Sequence, residues 1–417
     1  MAKFLFTMLP ANDLGLPTRL VPIARVLADR GHDVAVFNPS PAPARLIEEA
    51  GLANLPMPSR SLPDPPFDLA KASQAWDVEE FFGWLFADEE FVRANTTLHL
   101  DVFREFKPDV VVDSFGVFAC LATRIADVPL ATVLQGNFHP QSDGFRWWAG
   151  ERPAGLPSIT PLINKVGSEY GRAPVARSVD LLAGDLSLIV GTPETDPISS
   201  SARVTHIGPI VWQRGDAQLP SEIDSLRSGK PVVWIYSGNP RYAPVATTID
   251  SIVVIRAAIA ALADAPIEVV LTTGYQEIPT EIGTLPSNFH HAAYVPGRTM
   301  AERSDLMVHH GGHSSVMQSL AAGTPAVIIP TISERESNAR RLVALGAGEI
   351  VLPIDGEDGE KQIDLAAFAE NVRRVLHEER YRDAARKVAE RMRQFGGAQV
   401  AADRIEAMVP ERLTRMV

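Results

Sequence analysis

Apolar and polar positions follow two rhythms along the chain. Short apolar runs of strand length are each followed by segments whose apolar residues recur every three to four positions. Residues 3–9 form the first run. Leu20, Ile23, Ala24 and Leu27 then fall at helical spacing within Pro17–Asp29. Gly31 stops that helix, and Asp33–Phe37 reads as a second strand. A βαβ opening implies a parallel sheet. Residues 110–113 and Leu130–Leu134 add two buried strands, with an Ala- and Leu-rich helix between them.

The rhythm restarts further on. Val232–Tyr236, 268–273, Leu306–His309 and 326–330 read as strands, 249–262 as a helix, and 365–417 as a charged helical tail. Between the two halves lies a polar stretch with breakers, from Pro209 through Gln213-Arg214-Gly215-Asp216 to Pro220. The expected organisation is α/β: an N-terminal domain over 1–212, a linker over 213–229, a second domain over 230–395, and a terminal helix over 396–417 packing back on the first domain. The proline-rich stretches 38–66 and 151–161 read as surface loops or a lid. Two tandem doubly wound domains imply an interdomain cleft, with ligands beyond the carboxyl ends of the strands.

The chain has 417 residues, enough for two or three domains at about 150 residues each. With 39 Lys+Arg against 51 Asp+Glu, the net charge is −12. No basic field is available for general nucleic-acid binding, so an anionic ligand must be held locally. The single cysteine, Cys120, excludes an intrachain disulfide and fits a reducing, cytoplasmic setting. It lies in an apolar run and reads as a buried small hydrophobe. No apolar stretch reaches the roughly 18 residues of a membrane span. The apolar start reads as a buried strand, not a leader.

The most informative stretch runs from Asp305 through His309-His310-Gly311-Gly312-His313-Ser314-Ser315 to Leu320. A buried strand ends in a Gly-Gly turn, and a helix starts at the serines. Glycines admit a ligand close to the backbone, and a helix N-terminus attracts anions. This is how a net-acidic protein can hold a diphosphate. An ordinary strand–turn–helix with structural histidines is the competing reading. The pattern is neither a Walker A sequence nor GxGxxG, which disfavours nucleotide hydrolysis and hydride transfer.

The run 294–348 resembles the nucleotide-sugar signature of GT-B glycosyltransferases, a fold of two facing Rossmann-like domains. It is most similar to UDP-glycosyltransferases of bacterial natural-product, plant and animal type. The matching residues are Val295-Pro296, His310-Gly311-Gly312, Ala321-Ala322-Gly323-Thr324-Pro325, Pro330, Asn338-Ala339 and Gly346-Ala347-Gly348. The N-terminal half agrees more weakly, through Arg30-Gly31-His32-Asp33-Val34 and Pro108 to Asp113. The resemblance implies that His310, Ser314 and Ser315 contact a diphosphate. Tyr294 would stack near the base, with the Val295 backbone reading its edge. Ser237-Gly238-Asn239 would face the phosphates, and Glu334 and Arg335 would hold the donor sugar. The implied reaction is metal-independent, inverting transfer from a UDP- or TDP-sugar to a small acceptor, with no cofactor. The implied partners are small molecules only, and the protein would be a monomer or homodimer.

The departures from the pattern carry as much weight. Leu16 stands where relatives place a catalytic His, and leucine takes no proton. Asp113, the residue that would orient such a His, is present. Gln318 replaces a ribose-binding Glu, Gly297 a common Gln, and Arg335 the sugar-binding Gln. Asp13 and His139 are the alternative bases. Alternatively the acceptor arrives ionised, held by Arg19, or catalysis is lost. Arg335 either meets an acidic group of the donor or pairs with a surface acid such as Glu334 or Glu336. Trp147 and Phe82, with their aromatic neighbours, either line the acceptor pocket or form local core. The acids around Phe82 argue against an anionic membrane surface. Two rival functions stay open: a catalytically degenerate sugar-nucleotide-binding partner protein, and a nucleotide-sugar epimerase or hydrolase on the same fold.

Overall fold

The computed structural model describes residues 1–11, 14–59, 62–213, 218–226, 229–238, 250–274, 277–356 and 361–409. The chain divides into two compact units, Met1–Ile210 with Phe395–Val417, and Val211–Gln394.

The first unit is built on a seven-stranded parallel sheet. Its strands are β1 (Lys3–Met8), β2 (Asp33–Phe37), β3 (Ala53–Asn54), β4 (Val110–Ser114), β5 (Leu130–Leu134), β6 (Leu186–Ile189) and β7 (Val204–His206). Their order is β3-β2-β1-β4-β5-β6-β7. Strands buried on both faces need continuous apolar runs, and Phe4, Leu5, Phe6, Val110, Val111 and Val112 are fully buried. The winding reverses between β1 and β4, where Thr7 lies opposite Asp113. The helix Gly397–Glu406 packs on Pro17–Asp29. Arg30 clamps it, reaching Asp403 and Glu406 at 2.6 Å each.

The second unit repeats the plan with β8 (Val232–Tyr236), β9 (Glu268–Thr272), β10 (Phe289–Ala292), β11 (Leu306–His309), β12 (Ala326–Ile328) and β13 (Gly348–Ile350). The order is β10-β9-β8-β11-β12-β13, so this winding reverses between β8 and β11. One face packs the helices Ile252–Leu262 and Leu365–His377. The other packs His313–Ala322, Ser333–Ala344 and Glu379–Met392. Within 213–229, the short helix Ser221–Asp224 puts Ile223 into this second core. Among the described residues, no helix is long and apolar enough to cross a membrane.

One expectation needs correction. The stretch 38–66 is not all loop: it holds the helix Pro41–Glu49 and β3. Proline at the first helical position lacks only an N–H that would have no partner in the helix, so Pro41 starts this helix. The stretch 151–161 is surface loop as expected up to residue 158, and it is held down at Pro157. Pro157 lies so close to the helix Val78–Phe86 that a Cβ at Gly83 would sit 2.5 Å from its carbonyl. Two of the acids near Phe82, Glu79 and Glu80, are buried. Glu79 is buried, accepting from Ser158, Thr160 (2.6 Å), Ser178 (2.8 Å) and the Val179 N–H (2.9 Å). Burial raises its pKa, but these four bonds more than offset that and leave it lowered.

Candidate active site

In open parallel sheets, side chains and loops converge where the winding reverses, beyond the carboxyl ends of the strands. Both reversal points of this chain carry residues singled out above.

In the second unit, Ser237-Gly238 follows β8 and His310-Gly311-Gly312 follows β11. The His310 ring lies between two glycines. A Cβ on Gly238 would meet its Cε1 at 2.6 Å, and one on Gly312 its Nε2 at 2.7 Å. Gly238 also has φ +67°, a conformation that penalises any side chain. Burial, then the Arg335 charge, then His309 hold the His310 pKa well below the ordinary value. The ring is therefore a neutral hydrogen-bonding group.

Gly312 caps the ten-residue helix His313–Ala322. First-turn N–H groups of a helix lack partners within it and point along its axis. Ser314 is half-buried and Ser315 buried in that turn. His309 braces the turn, its Nδ1 accepting from the Gly311 N–H at 3.1 Å. Asn338 holds it from the neighbouring helix, donating to the Gly311 carbonyl (3.1 Å) and to Glu334 (2.7 Å).

Arg335 does not sit on the surface. It is 6% exposed and donates to Thr331 (2.6 Å) and Ser251 (3.0 Å). Tyr294 is half-buried, edge-on to Trp212 with ring centroids 6.2 Å apart, and Val295 is buried beside it. Gln318 lies over Gly297: a Cβ there would be 1.9 Å from its Nε2. Two departures from the resembled pattern thus compensate, since the missing side chain at 297 makes room for the amide at 318. Asn239 lies outside the described residues. Among those described, no cluster of three or more His, Cys, Asp or Glu could hold a metal ion.

In the first unit, Leu16 is buried at the start of the helix Pro17–Asp29. Arg19, one turn on, is 3% exposed and donates to Gln135, just past β5, at 3.0 Å. Asp113 is fully buried. It accepts from Thr7 Oγ1 and the Gly116 N–H, each at 2.7 Å, and Cys120 lies 3.4 Å away. Burial raises its pKa to about 7 against these bonds. Cys120 is itself buried, its thiol pushed well up.

His139 is buried, and its Nδ1 accepts from the Gln141 N–H at 3.2 Å. Burial lowers its pKa to about 4. The neutral ring therefore carries its proton on Nε2, where it donates and does not accept. Phe82 is fully buried among Phe86 and Phe115, with ring centroids at 5.8 and 5.1 Å. This corrects its place among the acceptor-lining candidates: it is core. Trp147 is half-buried against Trp148. Asp13 lies outside the described residues.

With this geometry in hand, the comparisons with known proteins are specific. Residues 256–408 match the family described as Erythromycin biosynthesis protein CIII-like, C-terminal domain. The demethyllactenocin mycarosyltransferase of Streptomyces fradiae is 26% identical over 98% of this chain and 87% of its own. The calicheamicin glycosyltransferase CalG4 superposes with a TM-score of 0.71 at 21% identity, covering 100% of this chain and 99% of its own. The glycosyltransferase VinC, solved in complex with dTDP, gives 0.68 at 20% identity over 98% and 100%. This chain shares the fold of these glycosyltransferases.

The chain brings His310, Gly311, Gly312, Ser314, Ser315, Glu334 and Arg335 around one turn, together with Ser237 and Gly238. Tyr294 and Val295 precede the helix Gly297–Arg303, and Gly297 is tied to Gln318. Sequence reasoning missed the supports: His309 as an acceptor, Ser251 and Thr331 under Arg335, and Gln135 under Arg19. Thr331 stands only four residues before Arg335, a spacing that could have flagged it, whereas the others act on a residue distant in the chain or through a backbone group.

Proposed function

We propose that the second unit binds a nucleoside-diphosphate sugar beyond β8 and β11, and that the enzyme transfers the sugar to a small acceptor with inversion. The observation that carries this reading is the His310 ring held between Gly238 and Gly312 beside a helix N-terminus. A diphosphate fits there. The helix supplies partial positive charge and N–H donors, His310 a neutral donor, and Ser314 and Ser315 hydroxyls. As the C1–O bond breaks, charge grows on the leaving diphosphate, and fixed donors stabilise it more than the ground state. A direct displacement inverts the anomeric carbon, and this donor set does the work a metal ion does elsewhere.

Tyr294 and Val295 would take the base, Gln318 the ribose, and Glu334 with Arg335 the sugar. UDP and TDP are the candidate nucleotides, and the dTDP complex of VinC favours the second. The first unit would take the acceptor through Leu16, Arg19 and Trp147. Asp13 is the remaining base candidate in the loop after β1, because the His139 Nε2 is a donor and Asp113 is committed to Thr7 and Gly116.

The test is transfer with UDP- and dTDP-sugars in the presence of EDTA, reading the product anomer by NMR. Metal-free transfer with inversion supports the reading. Retention, or sugar release without an acceptor, would sink it.

A further inference from the structure

We infer that Trp212, in the segment joining the two sheets, is a positioning residue of the donor site: it sets the ring plane of Tyr294 on which a nucleotide base stacks. The inference rests on the reading above, in which Tyr294 and Val295 take the base, and names what holds that platform.

By sequence this segment reads as a linker, yet its described residues are fastened to the second unit. Ile223 is buried in the core that holds Val295 and Met300, and Leu219 and Leu226 pack against that core. Arg303 forms an ion pair with Asp224 and donates to its carbonyl at 2.8 Å. Arg303 ends the helix Gly297–Arg303, which starts directly after Tyr294-Val295-Pro296. The segment and the turn that carries Tyr294 are therefore held against each other within one compact unit, which begins at Val211.

Trp212 has a different place from these apolar neighbours. It lies outside any helix or strand, and neither it nor Tyr294 belongs to the apolar cores on the two faces of the second sheet. Both rings are half-buried. They pack on each other, with centroids 6.2 Å apart and planes at 61°, an attractive edge-on arrangement. A tyrosine ring free to turn about its side-chain torsions would have to be immobilised as a base stacks on it, and that ordering weakens binding. Held edge-on by Trp212, the ring has its plane before the nucleotide arrives. Val295, buried in the core, orients the backbone of the turn, and Trp212 orients the ring.

The diphosphate end has supports of its own. His309 braces the Gly311 turn from the strand, and Asn338 braces it from the helix Ser333–Ala344. Loss of Trp212 should therefore be felt by the base and not by the phosphates, and it should be felt through Tyr294.

The experiment is calorimetric titration of the full chain with dTDP, UDP and inorganic diphosphate, which has no base. The nucleotide that binds the wild type should bind Trp212→Leu about three- to tenfold more weakly, the typical worth of one aromatic pair, with the affinity for inorganic diphosphate unchanged. Trp212→Phe should recover most of the loss. Tyr294→Leu should also weaken the nucleotide alone, and adding Trp212→Leu to it should lower affinity by less than about twofold more, because residues that act as a unit are not additive. Unchanged nucleotide affinity in Trp212→Leu, an equal fall for inorganic diphosphate, or full additivity in the double variant would overturn the inference. No binding of nucleotide or diphosphate by the wild type, or no effect of Tyr294→Leu, would instead strike the donor-site reading, and the inference with it. Should Trp212→Leu fail to fold, fluorescence of Trp212→Phe decides. Nucleotide should quench the emission of the wild type more than that of the variant, and equal quenching would overturn the inference.

Discussion

At the reversal between β8 and β11 the second unit leaves backbone bare. At the corresponding reversal between β1 and β4 the first unit fills the space with side chains. The sheets share one winding plan, yet Gly238 and Gly312 flank one histidine in the second. In the first, Leu16, Asp113 and Phe115 occupy the equivalent end, and Phe115 stacks on Phe138 at 3.8 Å. On the proposed reading, the difference follows from what each end would recognise. A diphosphate has one shape and a fixed charge, and backbone N–H groups suit it. A small acceptor is defined by apolar surface and a polar handle, and only side chains can be shaped to it.

The contrast can be broken in order of expected effect. Phe82→Ala removes a fully buried ring from the first unit and should cost about 3–5 kcal/mol in denaturant unfolding, with nucleotide affinity untouched. A loss confined to acceptor KM would return Phe82 to the acceptor pocket. Gly238→Val should displace the His310 ring and weaken nucleotide binding about a hundredfold by calorimetry, with the first unit as stable as before. Unchanged affinity would mean that the ring has no part in binding.

Asp113→Asn is a pH test. The carboxyl has a folded pKa of about 7, raised by burial above the unfolded value of 3.8. Its contribution to stability is fully present below the unfolded value and is lost as pH rises through about 7. The variant cannot ionise, so it should melt above the wild type at pH 8, by up to a few kcal/mol, and lose this advantage at pH 4. A pH-independent difference would contradict the burial argument. The smallest effect belongs to Gly297→Ala. Its Cβ pushes only the flexible end of Gln318, so stability should change by about 1 kcal/mol or less and nucleotide affinity a few-fold. A crystal structure with Gln318 unmoved would refute the contact.

The same contrast explains what could be read from the chain. The central strands, the helix Pro17–Asp29 and the turn at 310–312 were legible because each is local. Apolar runs mark buried strands, and a Gly-Gly break marks the turn into a helix, although that helix starts at His313 with Gly312 as its N-cap and not at the serines. The edge strands β3, β7 and β13 span only two or three residues, too short for any periodicity to register. Pro41 disguised a helix start as a loop. The burial of Glu79 left no mark in the sequence, because the donors that explain it are gathered from 158–179. The identity of the base was out of reach for a related reason: reach to a proton is a distance, and composition does not encode it.

The central claim is that the turn at His310 is a diphosphate site. It is tested most directly by calorimetric titration of UDP and dTDP into the wild type and His310→Ala, with EDTA present. One nucleotide should bind the wild type clearly, and the variant should bind it about ten- to a hundredfold more weakly, the loss of one hydrogen bond to a charged group. Equal affinity in the two proteins, or no binding of either nucleotide by the wild type, would contradict it.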